Sequence, residues 1–190
     1  MNNKSINEII EVLYDAVEKS FLSLFTDHGD EHFYYCTIVM VEAGTPCISA
    51  QSYESLDKYS KENGMSDEDK ADCKWSWAES PYFAYGYDEY FNKVEELFKE
   101  RFADAESDNC QYQNEYKTWL EAMETVMKML DQKGIFGKGK NRDEIFVFSE
   151  EAPPDDESEE FYKCGERLNP PTAYKKWLAD WSVASKFPFV

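Results

Sequence analysis

Two short stretches set chemistry-bearing residues at a suggestive spacing. His28-Gly29-Asp30-Glu31-His32 spells H-x-x-E-H, the order in which inverted zinc proteases carry two imidazole ligands and a general base. That chemistry needs both imidazoles on one helical face, four residues apart, with Glu31 beside the metal-bound water. Gly29 interrupts the motif, the apolar helical pattern ends before it, and an apolar run begins at Phe33. Without a helix the spacing loses its geometric meaning, and these are the chain's two histidines, so no third imidazole completes a site. The expectation is a helix-to-strand loop without metal.

The second stretch, Gly134-Ile135-Phe136-Gly137-Lys138-Gly139-Lys140-Asn141, comes close to the phosphate-cradling P-loop pattern. That loop requires a strand before it, a helix after it, and a Ser or Thr hydroxyl on magnesium. Asn141 stands where the hydroxyl belongs, and the surrounding order is helix first and strand second. The expected roles are a helix cap for Gly134 and turns for Gly137 and Gly139. Lys133, Lys138, Lys140 and Arg142 leave this a basic loop in an acidic protein.

Other catalytic patterns are missing. No G-x-S-x-G elbow presents a serine near either histidine. Cys36, Cys47, Cys73, Cys110 and Cys164 form no C-x-x-C pair, and their odd number fits reduced thiols better than a disulfide framework, which favours a cytoplasmic setting.

Two segments instead suit a binding surface. The run from Trp75 to Tyr87 holds two tryptophans, three tyrosines and Pro81, and its aromatics serve as core beneath a bent strand or as interface anchors, with Trp75, Trp77 and Tyr82 the candidates. Glu150, Glu151, Asp155, Asp156, Glu157, Glu159 and Glu160 put seven acids into eleven residues with no base among them. Such a run is a solvated loop or a docking surface for a basic protein.

The elements that must position these groups follow from periodicity. Ser5 and Glu8 form a capping box, and Ile6, Ile9, Ile10, Leu13, Val17, Phe21 and Leu24 predict a helix over residues 6 to 26. The apolar run from Phe33 to Val41 predicts a central strand, and alternation over residues 47 to 52 predicts its hairpin partner across Ala43-Gly44-Thr45-Pro46. A short helix is expected over 53 to 64, then an extended aromatic piece bent at Pro81. Helices follow around Tyr90 to Phe102 and Tyr116 to Leu130, with a strand over 144 to 149 and a helix over 158 to 167. Pro170-Pro171 opens a last helix. The order predicts a single α+β domain over residues 1 to 190, a mainly antiparallel sheet packed against several amphipathic helices.

Composition narrows the partners. The chain has 190 residues, 39 acidic against 20 basic, and a formal charge of -19, yet 16% of it is aromatic. A disordered acidic tail would lack those aromatics. The charge repels nucleic acid and anionic membrane surfaces and favours a basic protein partner. No apolar stretch is long enough to span a bilayer.

His32-Phe33-Tyr34-Tyr35, the segment Trp75 to Tyr82, Leu130 to Gly139, and Arg167-Leu168-Asn169-Pro170-Pro171 occur in an order that resembles a bacterial family known only as a domain of unknown function. The resemblance implies one α+β domain, brings no catalytic residues, and places some relatives near toxin and immunity genes. The leading expectation is a non-enzymatic binding protein, monomeric or weakly dimeric, without cofactor or metal. Its concrete form is an immunity protein that neutralises a basic toxin through Trp75, Trp77, Tyr82, Asp155, Asp156, Glu157, Glu159 and Glu160. The alternatives are an enzyme with a pocket near residues 75 to 87, favoured if a concave site joins a tyrosine or tryptophan, a carboxylate and a histidine, or a housekeeping scaffold module.

Overall fold

The computed structural model describes residues 5–42, 44–105, 108–154 and 158–184. Helix α1, Ile6–Asp27, starts at Ser5, whose hydroxyl accepts the Asn7 N–H at 3.2 Å. Ile9, Leu13, Val17, Phe21 and Leu24 are all fully buried, as the periodicity predicts.

Strands β1, Phe33–Val41, and β2, Cys47–Ser52, pair antiparallel as a hairpin with Ile38 opposite Ile48. Strand β3, Phe146–Ala152, joins the other edge of β1 in parallel, giving the order β2-β1-β3. The sheet is therefore mixed, which corrects the expectation of a mainly antiparallel one. The cause lies in the connection. More than ninety residues separate β2 from β3, and that length permits a helical crossover and hence a parallel return.

The crossover contains α2, Tyr53–Glu62; α3, Asp67–Cys73; α4, Tyr87–Tyr90; α5, Asn92–Ala105; and α6, Asn109–Lys133. Helices α7, Glu159–Leu168, and α8, Pro171–Ala184, follow β3. Helix α3 escaped the periodicity because it buries no residue; its signal is the reciprocal cap between Ser66 and Asp69. Gly134 ends α6 in a left-handed conformation, φ 89°, and its N–H bonds back to Leu130 at 3.1 Å.

Side-chain alternation gives the sheet two different faces. On one, α1 and α6 pack together, and Glu151 accepts a hydrogen bond from Tyr116 of α6 at 2.6 Å. On the other, Trp177 of α8 stacks on Phe146 at 4.6 Å. An extra residue in β1 at Tyr34 shifts the register between Phe33 and Tyr35 and sets both tyrosines against Trp75, at 5.3 and 5.8 Å.

Both outer strands have devices that blunt their edges. Residues 75 to 86 form turns rather than the extended piece expected, and they lie along β2. Ala84 N–H donates to Ile48 C=O at 2.9 Å, and Ser49 Oγ donates to Trp77 C=O at 2.9 Å. On β3, the Asn169 side chain acts as one residue of a neighbouring strand. It accepts the Val147 N–H at 2.7 Å and donates to the Val147 C=O at 2.6 Å.

Candidate functional site

Beyond Val147 the β3 edge runs into an open groove of about 390 Å³ between α6 and α7. Helix α6 contributes Lys117, Leu120, Glu121 and Glu124; β3 contributes Ser149, Glu150 and Glu151; α7 contributes Glu160, Phe161, Cys164 and Arg167. The spacing explains the arrangement. Lys117, Glu121 and Glu124 recur at three and four residues on one face of α6, as do Glu160, Cys164 and Arg167, at four and three, on α7. Leu120, Phe161 and Cys164 give the groove an apolar floor, and its acids outnumber its bases, five to two.

The groove's internal pairing is uneven. Arg167 donates to both oxygens of Glu124, each at 2.7 Å, and also to Glu160. Cys164 is buried and donates its thiol to the Ser149 carbonyl at 3.4 Å, and burial pushes that thiol upward, away from thiolate chemistry. Glu121 has no ion-pair partner among the described residues.

The acidic run divides. Glu159 and Glu160 open α7, exposed, with Glu159 paired to Lys163 at 3.0 Å. Asp155, Asp156 and Glu157 lie outside the described residues. The sequence puts Glu150 and Glu151 in a solvated loop or docking surface, and the structure corrects the loop, because β3 extends through both. Glu150 is buried and accepts a hydrogen bond from Tyr35, while Glu151 takes the Tyr116 hydroxyl. The sequence hid this role because a glutamate on a solvated loop and one turned inward from a strand look alike.

The aromatic candidates take other places. Trp75 and Tyr82 are each 6% exposed and belong to the core, so neither presents an anchor at the surface. Trp77 is half-buried against Phe83, ring centroids 5.2 Å apart.

The H-x-x-E-H motif lies in a turn after α1. Its two histidines face different carboxylates. His32 Nδ1 lies 2.7 Å from Glu54, and His28 Nδ1 lies 3.4 Å from Glu31. Tyr82 donates to Glu31 at 2.5 Å, its oxygen lies 3.3 Å from His28 Nδ1, and Ser52 also donates to Glu31. Glu31 is thus tied by two hydroxyls, and Tyr82 is held protonated by burial and by that carboxylate. Among the described residues no three His, Cys, Asp or Glu side chains come together as a metal site.

The P-loop-like stretch runs from the α6 cap into a 3-10 helix, Gly139–Glu144. Phe136 is fully buried, and Arg142 is a buried brace rather than part of an exposed basic loop. Arg142 bonds Asp131, the carbonyl of Ile145, the carbonyl of Leu168 at 2.8 Å and the Asn169 side chain at 3.3 Å. All five cysteines are free, and among the described residues no helix is long and apolar enough to cross a membrane.

A family model described as "Domain of unknown function (DUF4303)" matches residues 13–170, a span that includes all three strands and both helices of the groove. No curated protein and no solved structure matches the chain.

Proposed function

The chain belongs to the DUF4303 family, and from that premise we propose that it is a non-enzymatic binding protein that docks a basic protein in the groove between α6 and α7. An immunity protein that neutralises a basic toxin is the most concrete form of this reading. The observation that carries it is the groove's composition: an apolar floor at Leu120 and Phe161 beneath a rim where Glu121, Glu124 and Glu160 gather. Such a surface buries an apolar anchor while attracting positive charge. The overall charge of -19 adds long-range steering in the same direction.

The test is co-purification with the products of genes flanking its own, for the wild type and for a Glu121→Lys, Glu160→Lys variant. A basic protein retained by the wild type, lost by the variant, and toxic to cells when expressed alone supports the reading. A partner held equally by both places the interface elsewhere.

A second reading is an enzyme, favoured by the convergence of His28, Glu31 and Tyr82. Tyr82 would act there by holding Glu31 in place with its phenolic hydrogen, since that phenol is held protonated. Loss of a small-molecule turnover in both His28→Ala and Tyr82→Phe, with folding retained, would move the function to this cluster.

A further inference from the structure

The groove already contains one guanidinium. Arg167 lines it, and its planar fork meets both oxygens of Glu124 at 2.7 Å while a terminal nitrogen also reaches Glu160. Two carboxylates from two helices therefore form a seat for a single arginine head. The seat is shallow, because the Arg167 side chain is 40% exposed and that of Glu160 is 70% exposed. Exposed pairs of this kind contribute little to stability and exchange readily. Phe161 and Leu120 offer apolar surface beside the seat, and Glu121 adds a carboxylate with no ion-pair partner among the described residues.

Resting on the reading of the groove as the docking surface, we infer that its occupant is an arginine-bearing segment of the partner, and that Arg167 holds that arginine's seat in the free protein. The complementarity is of shape as well as charge. A guanidinium presents parallel N–H groups to one carboxylate and a further N–H to another, which an ammonium cannot do. On docking, the incoming arginine pairs with Glu124 and Glu160, and Arg167 swings out to water. Arg167 thus weakens binding of any weakly basic segment and selects for one that brings arginine.

The probes are fluorescein-labelled octa-arginine and octa-lysine, titrated by anisotropy at low salt against the full chain. The wild type should bind octa-arginine more tightly than octa-lysine. Arg167→Ala should tighten octa-arginine binding about fivefold, beyond a Lys58→Ala control that removes one positive charge from exposed α2. Arg167→Lys keeps the charge without the fork and should fall between wild type and alanine, which separates seat competition from net charge. Glu124→Gln with Glu160→Gln should weaken binding, while Glu62→Gln with Glu68→Gln, on exposed positions of α2 and α3, should change it less than about twofold. If Arg167→Ala matches Lys58→Ala while the groove glutamines still weaken binding, Arg167 is no placeholder and the docking reading stands alone. If groove and distant glutamine variants behave alike, the docking reading fails as well. Thermal melts of each variant verify that it is folded.

Discussion

Tyr35 donates its phenolic hydrogen to the carboxyl of Glu150 inside the sheet, and among the described residues no ion-pair partner accompanies Glu150. The register makes this unusual. Glu150 lies opposite Val39, four residues beyond Tyr35 on β1, so the two side chains meet across Thr37. Among the described residues the other buried charged groups are Arg101, which has Glu115, and Arg142, which has Asp131. Glu150 has a phenol instead.

That arrangement has a pH consequence. Burial pushes the Glu150 carboxyl up to about 7, against which the hydroxyl bonds pull only partly. The folded protein therefore holds a proton that the unfolded chain releases near 4.5. This contribution is fully present below pH 4.5 and is lost as pH rises through 7, a change of about 3 kcal/mol. Glu150→Gln keeps an acceptor for Tyr35 and removes the titration. Urea melts should show the variant more stable than wild type at pH 8, with the gap closing by pH 5. A constant gap across that range would assign Glu150 an ordinary carboxyl.

Asn169 is predicted to matter for the β3 edge. Asn169→Ala leaves the Val147 N–H and C=O without their partner and removes a bond to the Gly165 carbonyl. The expected cost is about 2 to 3 kcal/mol, with faster amide exchange at Val147. Unchanged exchange at Val147 would show the edge to be protected by other means.

The two tryptophans of the aromatic segment should separate. Trp75→Ala removes a ring packed on Tyr34, Tyr35 and Phe146 and should cost about 3 to 5 kcal/mol. Trp77→Ala removes a half-buried ring and should cost clearly less. Equal midpoints in denaturant for the two variants would contradict this assignment.

Much of the fold was legible in the sequence, and the exceptions have physical causes. Helix α1 could be read because its apolar period matched one buried face, and β1 because a continuous apolar run matched a strand buried on both faces. The parallel placement of β3 could not, since Phe146 to Ser149 carries a strand signal with no record of which edge of β1 it joins. Trp75 and Tyr82 could be recognised as important but not as core, because aromatics supply interiors and interfaces alike. Asn169 and Arg142 stood in conspicuous stretches, Arg167 to Pro171 and the glycine-rich loop, yet their roles are long-range bonds that no local spacing reveals. The groove was half-visible. Glu160 stands in a conspicuous acidic run, while Glu121 and Glu124 are hidden in the ordinary polar face of α6.

The central claim is that this groove captures a basic partner, and its most direct measurement is the association rate of the co-purified partner at low and at high salt. The account predicts fast association that slows steeply with added salt, and a rate about tenfold lower at low salt when Glu121 and Glu160 of the groove and the neighbouring Glu159 are all changed to Gln. Melting of the variant should stay near that of the wild type, because these three side chains contribute little to the fold. An association rate indifferent to both salt and the three substitutions would contradict the account.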